Sequence, residues 1–115
     1  MAEKKFDIIV YGATSFVGQI ITRYMHEQFA DGSVKWAIAG RSLSKLKQVR
    51  DTIGLSGIEM IVADAADKDA LKQMCAQTTV VMSTVGPYAL YGDLLVQVCA
   101  TTGTHYCDLD RKSVV

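Results

Sequence analysis

Apolar residues in this chain follow two rhythms. Short, near-continuous runs at Phe6 to Tyr11, Val34 to Ala39, Ile58 to Ala63, Thr78 to Thr84 and Thr104 to Asp108 have the length and composition of strands. Between them, apolar positions recur at helical spacing. They predict a helix from Val17 to about Gln28 that buries Val17, Ile20, Ile21, Tyr24 and Met25. A second helix buries Leu43, Leu46, Val49 and Ile53, and a third buries Ala70, Leu71, Met74 and Cys75. A fourth, from about Gly92, sets Leu94, Leu95, Val98 and Cys99 on one face. The punctuation agrees with this reading. Asp31-Gly32-Ser33 closes the first helix, Ser42 and Asp67 are placed as N-caps, Gly54 is a C′ residue, and Gly103 stops the fourth helix.

Strict alternation of strand and helix implies a parallel sheet joined by right-handed crossovers. The expected fold is α/β, a Rossmann-type doubly wound sheet of strand order 3-2-1-4-5, with residues 1–115 forming one domain. Ligands in such sheets bind at the carboxyl ends of the strands, where the winding reverses between strands 1 and 4.

Composition narrows the classes of partner. The chain has 115 residues, 50% hydrophobic and 21% charged, with a formal net charge of zero. That balance offers no general attraction to nucleic acid or an anionic membrane, so any affinity for phosphate must be local. No apolar run reaches the length of a membrane span. Met1-Ala2-Glu3-Lys4-Lys5 leads into the first strand without a signal-peptide core, which implies a cytoplasmic protein. Cys75, Cys99 and Cys107 lack CxxC spacing and read as buried, reduced thiols. No acidic, His or Cys cluster has metal-ligand spacing.

The chemistry starts at the first strand-to-helix turn, Gly12-Ala13-Thr14-Ser15-Phe16-Val17-Gly18. Gly12 permits the sharp exit from the strand and Gly18 lets the helix pack close to it. Ser15 stands at the middle position, where a glycine would give a pyrophosphate more clearance; its hydroxyl offers a bond to a phosphate oxygen instead. A helix N-terminus after such a turn is an anion site. The end of the second strand distinguishes two cofactors. An NAD site places an acid there for the ribose 2′-hydroxyl, whereas this chain reads Gly40-Arg41-Ser42. Arg41 is suited to fork onto a 2′-phosphate, with Ser42 and Lys45 as further donors, so NADP is expected over NAD. Asp64 and Ala65, after strand 3, are placed to meet the adenine, although Asp64 also fits a plain helix-entry acid. Val85, Gly86 and Pro87, after strand 4, are placed under the nicotinamide-ribose half. Tyr88 and Tyr91 fit either a lining of the reacting end or a seat for a partner domain. His105 reads as a core or edge residue and His26 as solvated. The Tyr-x-x-x-Lys pair of short-chain dehydrogenases does not occur, and no catalytic acid–base pair is visible.

Four blocks occur in order: Tyr11-Gly12-Ala13-Thr14-Ser15-Phe16-Val17-Gly18, Trp36 to Ser42, Val85-Gly86-Pro87-Tyr88-Ala89-Leu90-Tyr91-Gly92, and Gly103 to Leu109. Together they resemble the N-terminal domain of saccharopine dehydrogenase-like oxidoreductases, a family that includes trans-acting enoyl reductases. The resemblance implies a nicotinamide cofactor on a Rossmann domain, with Gly12, Ser15 and Gly18 at the pyrophosphate and Arg41 at the 2′-phosphate. It also implies a separate C-terminal substrate domain, absent here. Two departures stand out: Ser15 replaces the family's usual glycine, and the family's Ser/Thr-Gly-Glu after Asp108-Leu109 is replaced by Asp110-Arg111-Lys112. The expectation is a sheet truncated after strand 5, whose bare edge awaits the missing part.

Two functions remain open at this point. One is the NADP-binding domain of an oxidoreductase that moves hydride to or from a carbonyl, imine or activated C=C bond, inactive as an isolated fragment. The alternative is a non-catalytic NADP-sensing or scaffold module. Self-association into a homo-oligomer is left open as well.

Overall fold

The computed structural model describes residues 5–29, 32–55, 57–64, 67–83 and 92–108, with the backbone alone at 92–96 and 108. Its elements are β1 (Phe6–Tyr11), α1 (Phe16–Phe29), β2 (Trp36–Gly40), α2 (Leu43–Ile53), β3 (Glu59–Val62), α3 (Lys68–Ala76), β4 (Thr78–Ser83), α4 (Gly92–Thr102) and β5 (His105–Asp108). The strands form one parallel sheet in the order β3-β2-β1-β4-β5. β1 pairs with β2 on one side and β4 on the other, Ile9 facing Ala37 and Val81. This central strand is apolar on both faces because both are covered. Ile9 enters one cluster with Tyr11, Ala37, Ala39, Val81, Leu71, Met74, Cys75 and Val98, on the side of α3 and α4. Val10 enters the other with Ile38, Met25, Leu46 and Ala13, on the side of α1 and α2. Full burial of an aliphatic side chain of this size contributes roughly 1.5–3 kcal/mol.

The caps fall where the polar punctuation placed them. Ser42 Oγ accepts from the Lys45 N–H, Asp67 accepts from the Ala70 N–H, and Gly54 closes α2 in the left-handed conformation at φ 85°. Cys75 and Cys99 are buried with their sulfurs 3.5 Å apart, a contact that favours the Cys99 thiolate against the opposing effect of burial. No helix among the described residues is long and apolar enough to cross a membrane.

Three readings of the apolar pattern are corrected. α1 buries Gly18, Thr22 and Met25, whereas Val17, Ile20 and Tyr24 lie exposed and Ile21 only partly covered. Counting apolar residues chose the wrong stripe because contact at Gly18 sets the helix's rotation. That rotation turns Thr22 inward, where its hydroxyl is satisfied by the Gly18 carbonyl at 2.7 Å. Leu43 is exposed at the start of α2, since the helix meets the sheet only from Leu46 onward. Cys107 is also exposed: it lies on β5, on the α1 and α2 side of the sheet but beyond the part those helices cover.

Candidate functional site

The glycine turn is held by hydrogen bonds that leave its shape little freedom. Gly12 sits at φ 82°, and its N–H and that of Ala13 both reach the Ala39 carbonyl of β2, at 2.9 and 3.2 Å. The Ser15 N–H returns to the Gly12 carbonyl at 3.0 Å. Gly18 is where α1 touches the turn. A Cβ placed on it would stand 2.1 Å from the Gly12 carbonyl oxygen and 2.8 Å from Ala13 Cα. Only a glycine fits there.

Ser15 proves to be the N-cap of α1. Its hydroxyl donates to the Gly12 carbonyl at 2.9 Å and accepts from the Gly18 N–H at 2.9 Å, while its own carbonyl accepts from Gln19 N–H. These bonds satisfy groups at the start of α1 that a glycine at this position, lacking a side chain, could not reach. The Phe16 and Val17 N–H groups, also in the first turn, have no acceptor among the described residues. They remain available to an anion, and they point with the positive end of the helix dipole.

β2 ends directly beside this turn. A Cβ on Gly40 would lie 3.9 Å from Thr14 Cγ2, so Arg41, the next residue, flanks the helix N-terminus. Arg41 is exposed and Ser42 half-buried, the latter engaged as the cap of α2 and 3.2 Å from Ser44 Oγ. A hollow of about 270 Å³ lined by Thr14, Gln19, Lys45, Gln48, Val49 and Thr52 opens between the turn and α2, bringing Lys45 into the neighbourhood of Thr14. A larger hollow, about 420 Å³ and lined by Phe6, Trp36 and Ile58, lies at the amino ends of the strands. It is the wrong end of the sheet for a nucleotide, because no helix N-terminus points there.

Tyr11 is the site residue that pattern reading missed. Its hydroxyl donates to the Ala63 carbonyl at 2.8 Å, tying the end of β1 to the segment after β3 across the intervening strand. Burial, reinforced by the negative charge of Asp64 and opposed by the positive charge of Arg41, pushes its ionisation from 10.0 up to about 12. Tyr11, Arg41 and Asp64 are therefore electrostatic neighbours, although they come from three different strand ends. Periodicity marked Tyr11 only as a strand residue; the signal was its position immediately before Gly12.

The structure thus brings Gly12, Ala13, Thr14, Ser15, Phe16, Val17, Gly18, Arg41, Ser42 and Asp64 to one edge of the sheet. Ala65, Val85, Gly86 and Pro87, with Tyr88 and Tyr91, lie outside the described residues. His105 is exposed on β5 and His26 is half-buried on α1. Among the described residues no cluster of His, Cys, Asp or Glu could hold a metal ion.

A dinucleotide fits this edge on structural grounds. The Gly18 cradle admits backbone where a Cβ would block it, first-turn N–H groups are available for phosphate, and two cations stand at the neighbouring strand end. Comparison with known proteins agrees. The family model described as the saccharopine dehydrogenase NADP-binding domain matches residues 8–115. The trans-acting enoyl reductase of Mycobacterium ulcerans is 40% identical over 110 residues, covering 94% of this chain and 26% of that protein. The trans-acting enoyl reductase of Mycobacterium leprae is 41% identical over 109 residues, covering 93% and 26%. The chain spans about a quarter of the length of these relatives. In fold, apo saccharopine dehydrogenase (L-Glu forming) from Saccharomyces cerevisiae superposes with a TM-score of 0.72 at 22% identity, over 90% of this chain and 21% of that one. AtPrR2 with NADP+ and (+)-pinoresinol superposes at 0.63 and 17% identity, over 92% of this chain and 36% of that one.

Proposed function

The chain belongs to the saccharopine dehydrogenase NADP-binding domain family, and from that premise we propose that it holds NADP for a reductase acting on a carbonyl, imine or activated C=C bond. The observation that carries this reading is the placement of Arg41 beside the Gly12–Gly18 turn, with a glycine rather than an acid before it. In this reading the Phe16 and Val17 N–H groups receive the pyrophosphate, Gly12 makes the turn, and Gly18 lets the helix N-terminus seat close against it. Arg41 takes the 2′-phosphate in a charge-assisted fork, with Lys45 and Ser42 nearby. The reading assigns Asp64 and Ala65 to the adenine, and Val85, Gly86 and Pro87 to the nicotinamide. Bound in its reduced form, NADPH, the cofactor supplies the hydride. The chain's own contribution is to hold the dinucleotide in register at the edge of the sheet.

The relatives, named as trans-acting enoyl reductases, support a reductase role. In this reading residues 1–115 form the cofactor domain of a two-domain enzyme, and substrate recognition and proton delivery come from the rest of such a protein. The isolated chain accordingly binds NADPH and turns over no substrate. Isothermal titration with NADPH and NADH tests the assignment. NADPH is expected to bind more tightly, and Arg41→Ala to erase the difference. Equal affinity in the unaltered chain would overturn it.

A further inference from the structure

The two faces of the sheet are covered unequally. On one face α3 and α4 pack against β4 and β5. On the other, α1 and α2 pack over β1, β2 and β3, and among the described residues neither helix packs extensively over β4 or β5. Register places Val80 and Met82 on this open face beside Ile8 and Val10, and His105 and Cys107 beside them in turn. Val80 and Met82 stay partly exposed, while Val81, on the opposite face, is fully buried.

α1 presents a matching flank. At about 100° per residue, Gln19 and His26 fall on one side of its buried Gly18–Thr22–Met25 line. They share hollows with Val49 of α2 and with Leu55 beyond it, which identifies that side as the one facing α2. Val17 and Tyr24 fall on the other side, toward β4, and are 37% and 56% exposed, while Ile20, 52% exposed, points away from the sheet. The open strands and this flank therefore form the floor and one wall of a continuous apolar seat.

The sheet's own winding cannot fill it. Right-handed crossovers from β3 to β4 and from β4 to β5 put α3 and α4 on the far face, and a further parallel strand beyond β5 would send its helix there too. The cover must come from outside the sheet. The relatives carry about three-quarters of their length beyond the matched segment. Building on the two-domain reading above, we propose that the Val17–Tyr24 flank with Val80, Met82, His105 and Cys107 is the seat of the substrate domain. A domain held there stands beside the glycine turn, over the half of the sheet next to which the nicotinamide is expected.

Cys107 reports on the seat directly, with buried Cys75 and Cys99 as internal controls. The chain is produced alone and fused in place of the matched segment of the Mycobacterium leprae relative, and alkylation of each cysteine is followed by peptide mass spectrometry. Cys107 is expected to label at least about tenfold more slowly in the fusion, and Tyr24→Glu to restore its rate. In the isolated chain the same substitution is expected to leave Tm essentially unchanged. An unchanged Cys107 rate in a fusion that binds NADPH overturns the seat and spares the cofactor reading. Absence of NADPH binding in both proteins overturns the cofactor reading, while the Cys107 rate still judges the seat. Protection of Cys107 in the isolated chain, with dimers in sedimentation, would make a second copy the occupant and overturn the proposal. Should the fusion not fold, the relative's remainder added in trans gives the same readout, and no Cys107 protection on binding overturns the seat.

Discussion

The glycine turn and the Gly40–Ser42 strand end lie side by side, yet they are built by opposite means. The turn is backbone: Gly12 at positive φ, carbonyl bonds to β2, and a helix pressed so close that Gly18 has no room for a Cβ. Its geometry is part of the core. The strand end contributes an exposed arginine, whose loss is expected to leave the fold intact. The difference suggests that affinity for a dinucleotide and preference for its 2′-phosphate are separable. The first cannot be altered without disturbing stability, whereas the second can.

Substituting Gly18 should break the comparison most severely. Gly18→Ala forces a methyl group against the Gly12 carbonyl, and overpacking against rigid backbone is expected to cost more than about 3 kcal/mol. Denaturant melts should show the loss, with NADPH binding abolished alongside. Arg41→Ala is the counterpart. NADPH affinity should fall by about ten- to a hundredfold, about 1.4–2.8 kcal/mol, as expected for a charge-assisted contact. NADH affinity and Tm should hardly move. A parallel loss for both cofactors would show that Arg41 acts on the fold or the pyrophosphate instead.

Ser15 sharpens the boundary between the two regions. As an N-cap its replacement by alanine is expected to cost about 1 kcal/mol, and by glycine only a few tenths. NADPH titration of Ser15→Gly then isolates the role of the hydroxyl: weaker binding means it reaches a phosphate, and tighter binding means clearance was limiting. The smallest effect is at Tyr11, and it is confined to alkaline pH. Its phenol holds the proton more tightly when folded, so its contribution to stability is intact below about pH 10. That contribution drains away as pH rises through about 12. Tyr11→Phe should flatten that limb of the stability curve. An absorbance titration at 295 nm should lose its latest-ionising tyrosine in the variant (wavelength of roughly the phenolate band).

Much of the architecture was legible in the residues because it depends on local rules. Alternating strand and helix signals, with right-handed crossovers, lead to the observed β3-β2-β1-β4-β5 order. Ser42, Gly54 and Asp67 act locally as caps, so their positions were readable as well. At the site, the spacing of Gly12 and Gly18 announced a close strand–helix approach before any distance was measured. α1 was legible as a helix but not in its rotation. Val17, Ile20 and Tyr24 of its apolar stripe lie exposed, and Thr22 faces in.

By itself, then, the sequence determined the elements, their order, the glycine turn and the absence of an acid after β2, because each follows from backbone preference, periodicity or residue identity. Tertiary structure alone decided which face of α1 is buried, that Ser15 spends its hydroxyl on a cap, and that Tyr11 sits in the fields of Asp64 and Arg41. The reason is common to all three. They depend on contacts between residues distant in the chain or on a close approach at one atom, and neither leaves a period in the sequence. The Gly12 carbonyl beneath Gly18 sets the rotation of α1, and with it the apolar flank left facing β4.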